Sequence, residues 1–190
     1  MLGNWQAQFP DCEPVAHLLR QRFPTRWVRF HSLPASKRYP ENASEYGMVL
    51  ERHNHILREL AGPEGTVVLL TTGYSETADA VPPRPELGTL DPEAKPWRAV
   101  PMHDLEGDFF ASSYWHVLAS VWEWRPGVLD PIVRLVADDA VANVMVVDPL
   151  CQWLLHPYDG GMDVILESTA ARDRLRSSHA GWLSPRPDGL

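Results

Sequence analysis

Residues 151–166 constrain the fold most strongly, because two apolar runs, CQWLLH and MDVIL, flank the segment PYDGG at 157–161. Two extended segments separated by a Pro/Asp/Gly turn form a β-hairpin. The chain is therefore committed to at least one antiparallel strand pair near its C-terminal end.

The other elements follow from periodicity. Val15, Leu18, Leu19 and Phe23 recur at helical spacing and predict a helix over 14–23, ended by Pro24. A strand at 27–30 and a proline-stiffened loop at 32–42 come next. The clearest amphipathic helix spans 44–60, with Tyr46, Val49, Leu50, His53, Ile56, Leu57 and Leu60 near one face. Asn42 or Ser44 caps it, and Gly62-Pro63 stops it. β-branched residues predict a strand at 66–72. Further strands are expected at 97–100, 114–124 and 142–147, with helices at 130–137 and from Ser168 or Thr169 to about His179. Along 114–124, Trp115, Val117, Ala119 and Val121 alternate with His116, Leu118, Ser120, Trp122 and Trp124, so both faces carry apolar residues. The stretch 73–96, with Pro82, Pro83, Pro85 and Pro92, reads as a loop within one domain. The expected fold is α+β, a single domain over 1–190 with a mixed or mainly antiparallel sheet flanked by helices.

Charge narrows the function classes. The formal net charge is -8, which argues against indiscriminate coating of nucleic acid. Residues 1–60 hold eight Lys/Arg and six Asp/Glu, whereas 61–190 hold nine and nineteen, so an anion site belongs in the first third. No apolar run approaches the roughly 18–20 residues of a membrane span. Cys12 and Cys151 form no CxxC, which excludes a disulfide scaffold and a four-cysteine zinc site and leaves one distant disulfide open. The N-terminal segment lacks a basic stretch followed by an apolar run, so a soluble, cytoplasmic protein is expected. Most of the eight tryptophans belong to the core, with Trp5 and Trp182 placed to anchor the ends or meet a partner.

Two segments carry candidate chemistry. In 29–40, Arg29, Lys37 and Arg38 are candidate anion-binding residues, with His31 beside them for proton exchange. The competing reading is a surface loop pinned by Arg38 to an acidic residue elsewhere. In 156–163, His156, Asp159 and Asp163 suit acid–base chemistry or a metal. The competing reading is a tight turn whose glycine takes positive φ and whose Asp163 pairs with an arginine. His53 and His55 diverge by about 200° on a helix, with His53 toward the core and His55 exposed, so they form no shared metal face. Neither a metal nor a cofactor is expected. The chain lacks GxSxG, GxxxxGK[ST] and GxGxxG. Asp104, Glu106 and Asp108 form an acidic patch.

Taken together, the 29–40 segment, the ERHN run at 51–54 and the YDGGMDV run at 158–164 resemble a family of functionally uncharacterised bacterial proteins of about 190 residues. The resemblance implies a bacterial single-domain α/β protein and transfers no activity. Two functions are open. The leading one is a non-enzymatic interaction domain that binds and regulates a basic or toxin-like protein through an acidic surface. The other is an enzyme or binding protein for a small anionic, nucleotide-like ligand. Nucleic acid and membrane are not expected partners.

Overall fold

A computed structural model describes residues 4–105, 112–186 and 189. Its frame is a 7-stranded sheet in the order β1-β7-β6-β5-β2-β4-β3, and every neighbouring pair is antiparallel. The strands are β1 (Trp27–His31), β2 (Gly65–Ser75), β3 (Lys95–Pro101), β4 (Tyr114–Trp124), β5 (Met145–Val147), β6 (Trp153–Tyr158) and β7 (Gly161–Leu166). The helices are α1 (Trp5–Gln8), α2 (Ala16–Arg22), α3 (Ala43–Ala61), α4 (Pro85–Leu90), α5 (Asp130–Ala137) and α6 (Thr169–Ser178). This is the expected α+β architecture of one antiparallel sheet flanked by helices. Among the described residues, no helix is long and apolar enough to cross a membrane.

Alternation along the strands supplies both layers of core. Phe30, Val67, Leu69, Val146, Leu155 and Val164 share one face and pack with Ile56 and Leu57 of α3, Ile132 and Val136 of α5 and Leu175 of α6. On the other face, Val68, Leu70, Val117, Met145, Leu154 and Ile165 pack with Trp5, Phe9, Val15 and Leu19 around α1 and α2. Trp5 anchors the N-terminal end by donating its indole N–H to the Cys12 carbonyl at 2.9 Å. Cys12 and Cys151 are both buried and free.

Several boundaries moved for local reasons. Asn42 is the α3 cap, accepting from the Glu45 amide at 3.0 Å, as the cap chemistry requires. The stretch expected as loop over 73–96 holds α4, whose Pro85 sits in the first helical turn, where a missing N–H costs nothing. Strand β2 extends to Ser75 because β4 pairs with it along its whole length. Edge strand β3 carries Pro96 and Pro101 and a register shift between Pro96 and Arg98, features that discourage further strand pairing.

Candidate functional site

At the β1 edge the sheet sets chemistry in register. Arg29 lies opposite Asp163, and Asp163 lies opposite His156, forming one cross-strand row. In the next row His31 and Tyr158 flank Gly161. These residues alternate with Phe30, Met162, Val164 and Leu155, so they occupy the α2 side of the sheet. The two segments singled out in the sequence therefore meet, with the Ser32 amide donating to the Gly160 carbonyl at 3.1 Å.

Carboxylates of the same chain satisfy each candidate cation. Arg29 donates through Nε and Nη2 to the two Asp163 oxygens at 2.7 and 2.8 Å, and its guanidinium stands 4.4 Å from the Tyr158 ring centroid. Arg38 donates to Asp159, and its guanidinium lies 5.5 Å from the Tyr39 ring centroid. Lys37 is drawn away from the row, donating to Glu45 at 2.7 and 2.8 Å and to Glu41 at 2.9 Å. The bidentate Arg29–Asp163 pair is nearly buried, whereas Arg38 and Lys37 keep substantial exposure.

The glycines of the turn act differently from expectation. Neither Gly160 nor Gly161 has positive φ. A Cβ on Gly161 would stand 2.1 Å from the Phe30 carbonyl oxygen, so glycine is required there by the close approach of β1. A Cβ on Gly160 would lie 2.9 Å from the Tyr158 ring, a milder conflict with a side-chain edge.

Burial disfavours the protonated form of two histidines in this region. His156 donates from Nδ1 to the Val144 carbonyl at 2.8 Å, which leaves Nε2 as the unprotonated nitrogen of the neutral ring. Burial holds its pKa below the ordinary histidine value. It lines a small pocket of about 180 Å³ with His17, Tyr158 and Asp159. Burial, followed by the charges of Arg29 and Arg52, also lowers the pKa of His31. The arrangement can accept a proton at His156 Nε2, but its cations are already neutralised within the chain.

A second feature lies toward the opposite edge, where β2 begins, β4 ends and the α4–β3 connection crosses. It is a groove of about 640 Å³ whose lining includes Glu64, Asp91, Glu93, Trp122, Glu123 and one cation, Arg125. Glu64, Glu93 and Glu123 are exposed, and Val121 is 61% exposed, the most open large apolar side chain described. The Trp122 indole donates to Ser120 Oγ at 2.9 Å, and that hydroxyl donates to buried Asp91 at 2.9 Å. The aromatic wall is thus held by a closed polar chain. Sequence reasoning missed this groove because its residues come from three separated segments. The acidic patch it favoured instead leaves Asp104 exposed beside His103, while Glu106 and Asp108 lie outside the described residues.

Residues 15–187 match a family model described as a domain of unknown function, DUF3885. No curated protein and no solved structure matches the chain.

Proposed function

The chain belongs to the DUF3885 family, and for this member we propose a non-enzymatic interaction role in which the acidic groove between β2, β4 and the α4–β3 connection takes a lysine- or arginine-rich segment of a protein partner. The observation that carries this reading is the contrast between the two sheet edges. Arg29, Lys37 and Arg38 near the β1 edge are matched to internal carboxylates, whereas Glu64, Glu93 and Glu123 face solvent around an aromatic wall. Such a surface offers a cation both ion pairing and contact with the face of Trp122. Regulation of a basic or toxin-like protein is the role that this chemistry suits.

The test compares two triple variants of equal net charge by fluorescence anisotropy with labelled arginine-rich peptides. Glu64→Gln/Glu93→Gln/Glu123→Gln empties the groove of charge, and Glu51→Gln/Asp104→Gln/Glu167→Gln removes the same charge elsewhere. At about 0.2–1 kcal/mol per exposed pair, the groove variant loses roughly threefold to a hundredfold in affinity, and the control stays near the parent. Equal losses in both variants would reduce the effect to net charge and end the proposal.

A second reading rests on a pocket of about 300 Å³ lined by Trp27, Arg29, Arg172, Arg176 and Arg186. Four guanidiniums around one concavity suit a small anionic, nucleotide-like ligand. That ligand must compete with Asp163 for Arg29 and with Asp173 for Arg172. A rise in melting temperature with nucleotide or inorganic phosphate, abolished in Arg176→Ala, supports this reading; no rise removes it.

A further inference from the structure

His55 and Glu59 stand one turn apart on α3, so both project from the same side of the helix. His179 caps the C-terminal end of α6 and reaches the same spot from a part of the chain 120 residues away. The potential donor atoms of these three residues all lie within 4.8 Å of one another. His179 Nε2 already contacts Glu59 Oε2 at 2.6 Å.

Packing holds the histidine pair in place. The His179 ring stacks on Trp182 at 4.6 Å and 21° and meets Phe30 edge-on at 5.7 Å. His55 packs edge-on against both His179 and Trp182. The His179 backbone is also fixed, its N–H donating to Leu175 and its carbonyl accepting from Trp182. Arg52, on the same helix, lies over the Trp182 ring at 5.0 Å and donates to the His31 carbonyl.

We propose that His55, Glu59 and His179 form a Zn²⁺ site that clips α3 to the C-terminal end of α6. Two imidazoles and one carboxylate make a donor set that zinc accepts, with a fourth position left for water. Metal–ligand distances near 2.0–2.2 Å place tetrahedral donors about 3.3 Å apart. The Glu59–His179 contact at 2.6 Å must therefore open by about 0.7 Å, and the wider separations must close by rotation of exposed His55 and Glu59. Imidazole donors favour zinc and its transition-metal neighbours over Mg²⁺ or Ca²⁺. The HxH spacing of His53 and His55 plays no part, since His53 is buried and donates to the Val49 carbonyl.

The site is tested on the full chain, without an affinity tag, by calorimetric titration with ZnCl₂ and by thermal denaturation with ZnCl₂ or MgCl₂. The parent is expected to bind one Zn²⁺, and at a hundredfold excess over Kd its melting temperature rises by about 5–11 °C. MgCl₂ leaves it unchanged. His55→Ala removes an exposed ligand, and Glu59→Gln keeps a hydrogen-bond partner for His179 while removing the carboxylate. Each is expected to lose about tenfold or more in zinc affinity while remaining folded by circular dichroism. If the parent binds no zinc, or if either folded variant binds it as tightly as the parent, the proposal is overturned.

Discussion

The Arg29–Asp163 pair offers the sharpest test of how the β1 edge is held. The two side chains are only 14% and 6% exposed, and their paired contacts at 2.7 and 2.8 Å place the charge centres about 4 Å apart. At that separation, an effective dielectric near 20 gives about 4 kcal/mol of attraction, which is largely offset by the desolvation of both groups. Removing only Asp163, as Asp163→Asn, leaves the guanidinium buried against Tyr158 and is expected to cost about 3–5 kcal/mol. Replacing both partners, as Arg29→Met/Asp163→Leu, removes the desolvation cost as well and should fall within about 2 kcal/mol of the parent. Urea denaturation of the parent, Arg29→Met, Asp163→Leu and the double variant closes the cycle, with Asp163→Asn measured beside them. A loss below about 1 kcal/mol in Asp163→Asn would refute the claim that this pair is an integral, desolvated element of the edge.

Two further outcomes follow from the same region. Gly161→Ala, with its Cβ 2.1 Å from the Phe30 carbonyl oxygen, must push β1 away and should cost about 3 kcal/mol or more, whereas Gly160→Ala should cost about 1 kcal/mol; equal midpoints in urea for the two variants would contradict the packing argument. Burial holds His156 below its ordinary pKa of 6.5, so as pH falls through that value the unfolded chain takes up protons that the folded chain refuses. Its contribution to stability is therefore fully present above about pH 6.5 and is lost as pH drops toward the folded pKa. Over that window His156→Gln should flatten the fall in stability by up to about 1.4 kcal/mol per pH unit, and denaturation midpoints at pH 5, 6 and 7 that keep the parent's slope would contradict this.

Features with a local physical cause were legible in the sequence. Helix α3 is long, periodic and capped by Asn42, and the β6–β7 hairpin is marked by its turn between apolar strands. The turn glycines were recognised for the wrong reason, since only the register of β1 against β7 reveals that Gly161 makes room for a neighbouring backbone. Helices α1 and α4 are too short to establish a period, although Pro85 at the start of α4 was a usable signal. The meeting of Arg29 with Asp163 and of Arg38 with Asp159 depends on placing β1 beside β7, a pairing that links residues more than a hundred positions apart. The groove and the His55–Glu59–His179 cluster are assembled in the same non-local way. In the latter, only the one-turn spacing of His55 and Glu59 was present in the sequence, hidden behind the more conspicuous HxH.

The acidic groove is the surface proposed to meet a basic partner. The direct measurement is an ¹⁵N-resolved NMR titration with an arginine-rich peptide, following the indole N–H signals and assigning that of Trp122 by its loss in Trp122→Phe. The groove predicts that the Trp122 indole and the amides of Glu64, Glu93 and Glu123 shift together and saturate, while the Trp27 indole at the opposite edge stays in place. Saturable shifts centred on Trp27 with Trp122 unmoved, or no saturable shift at all, would contradict it.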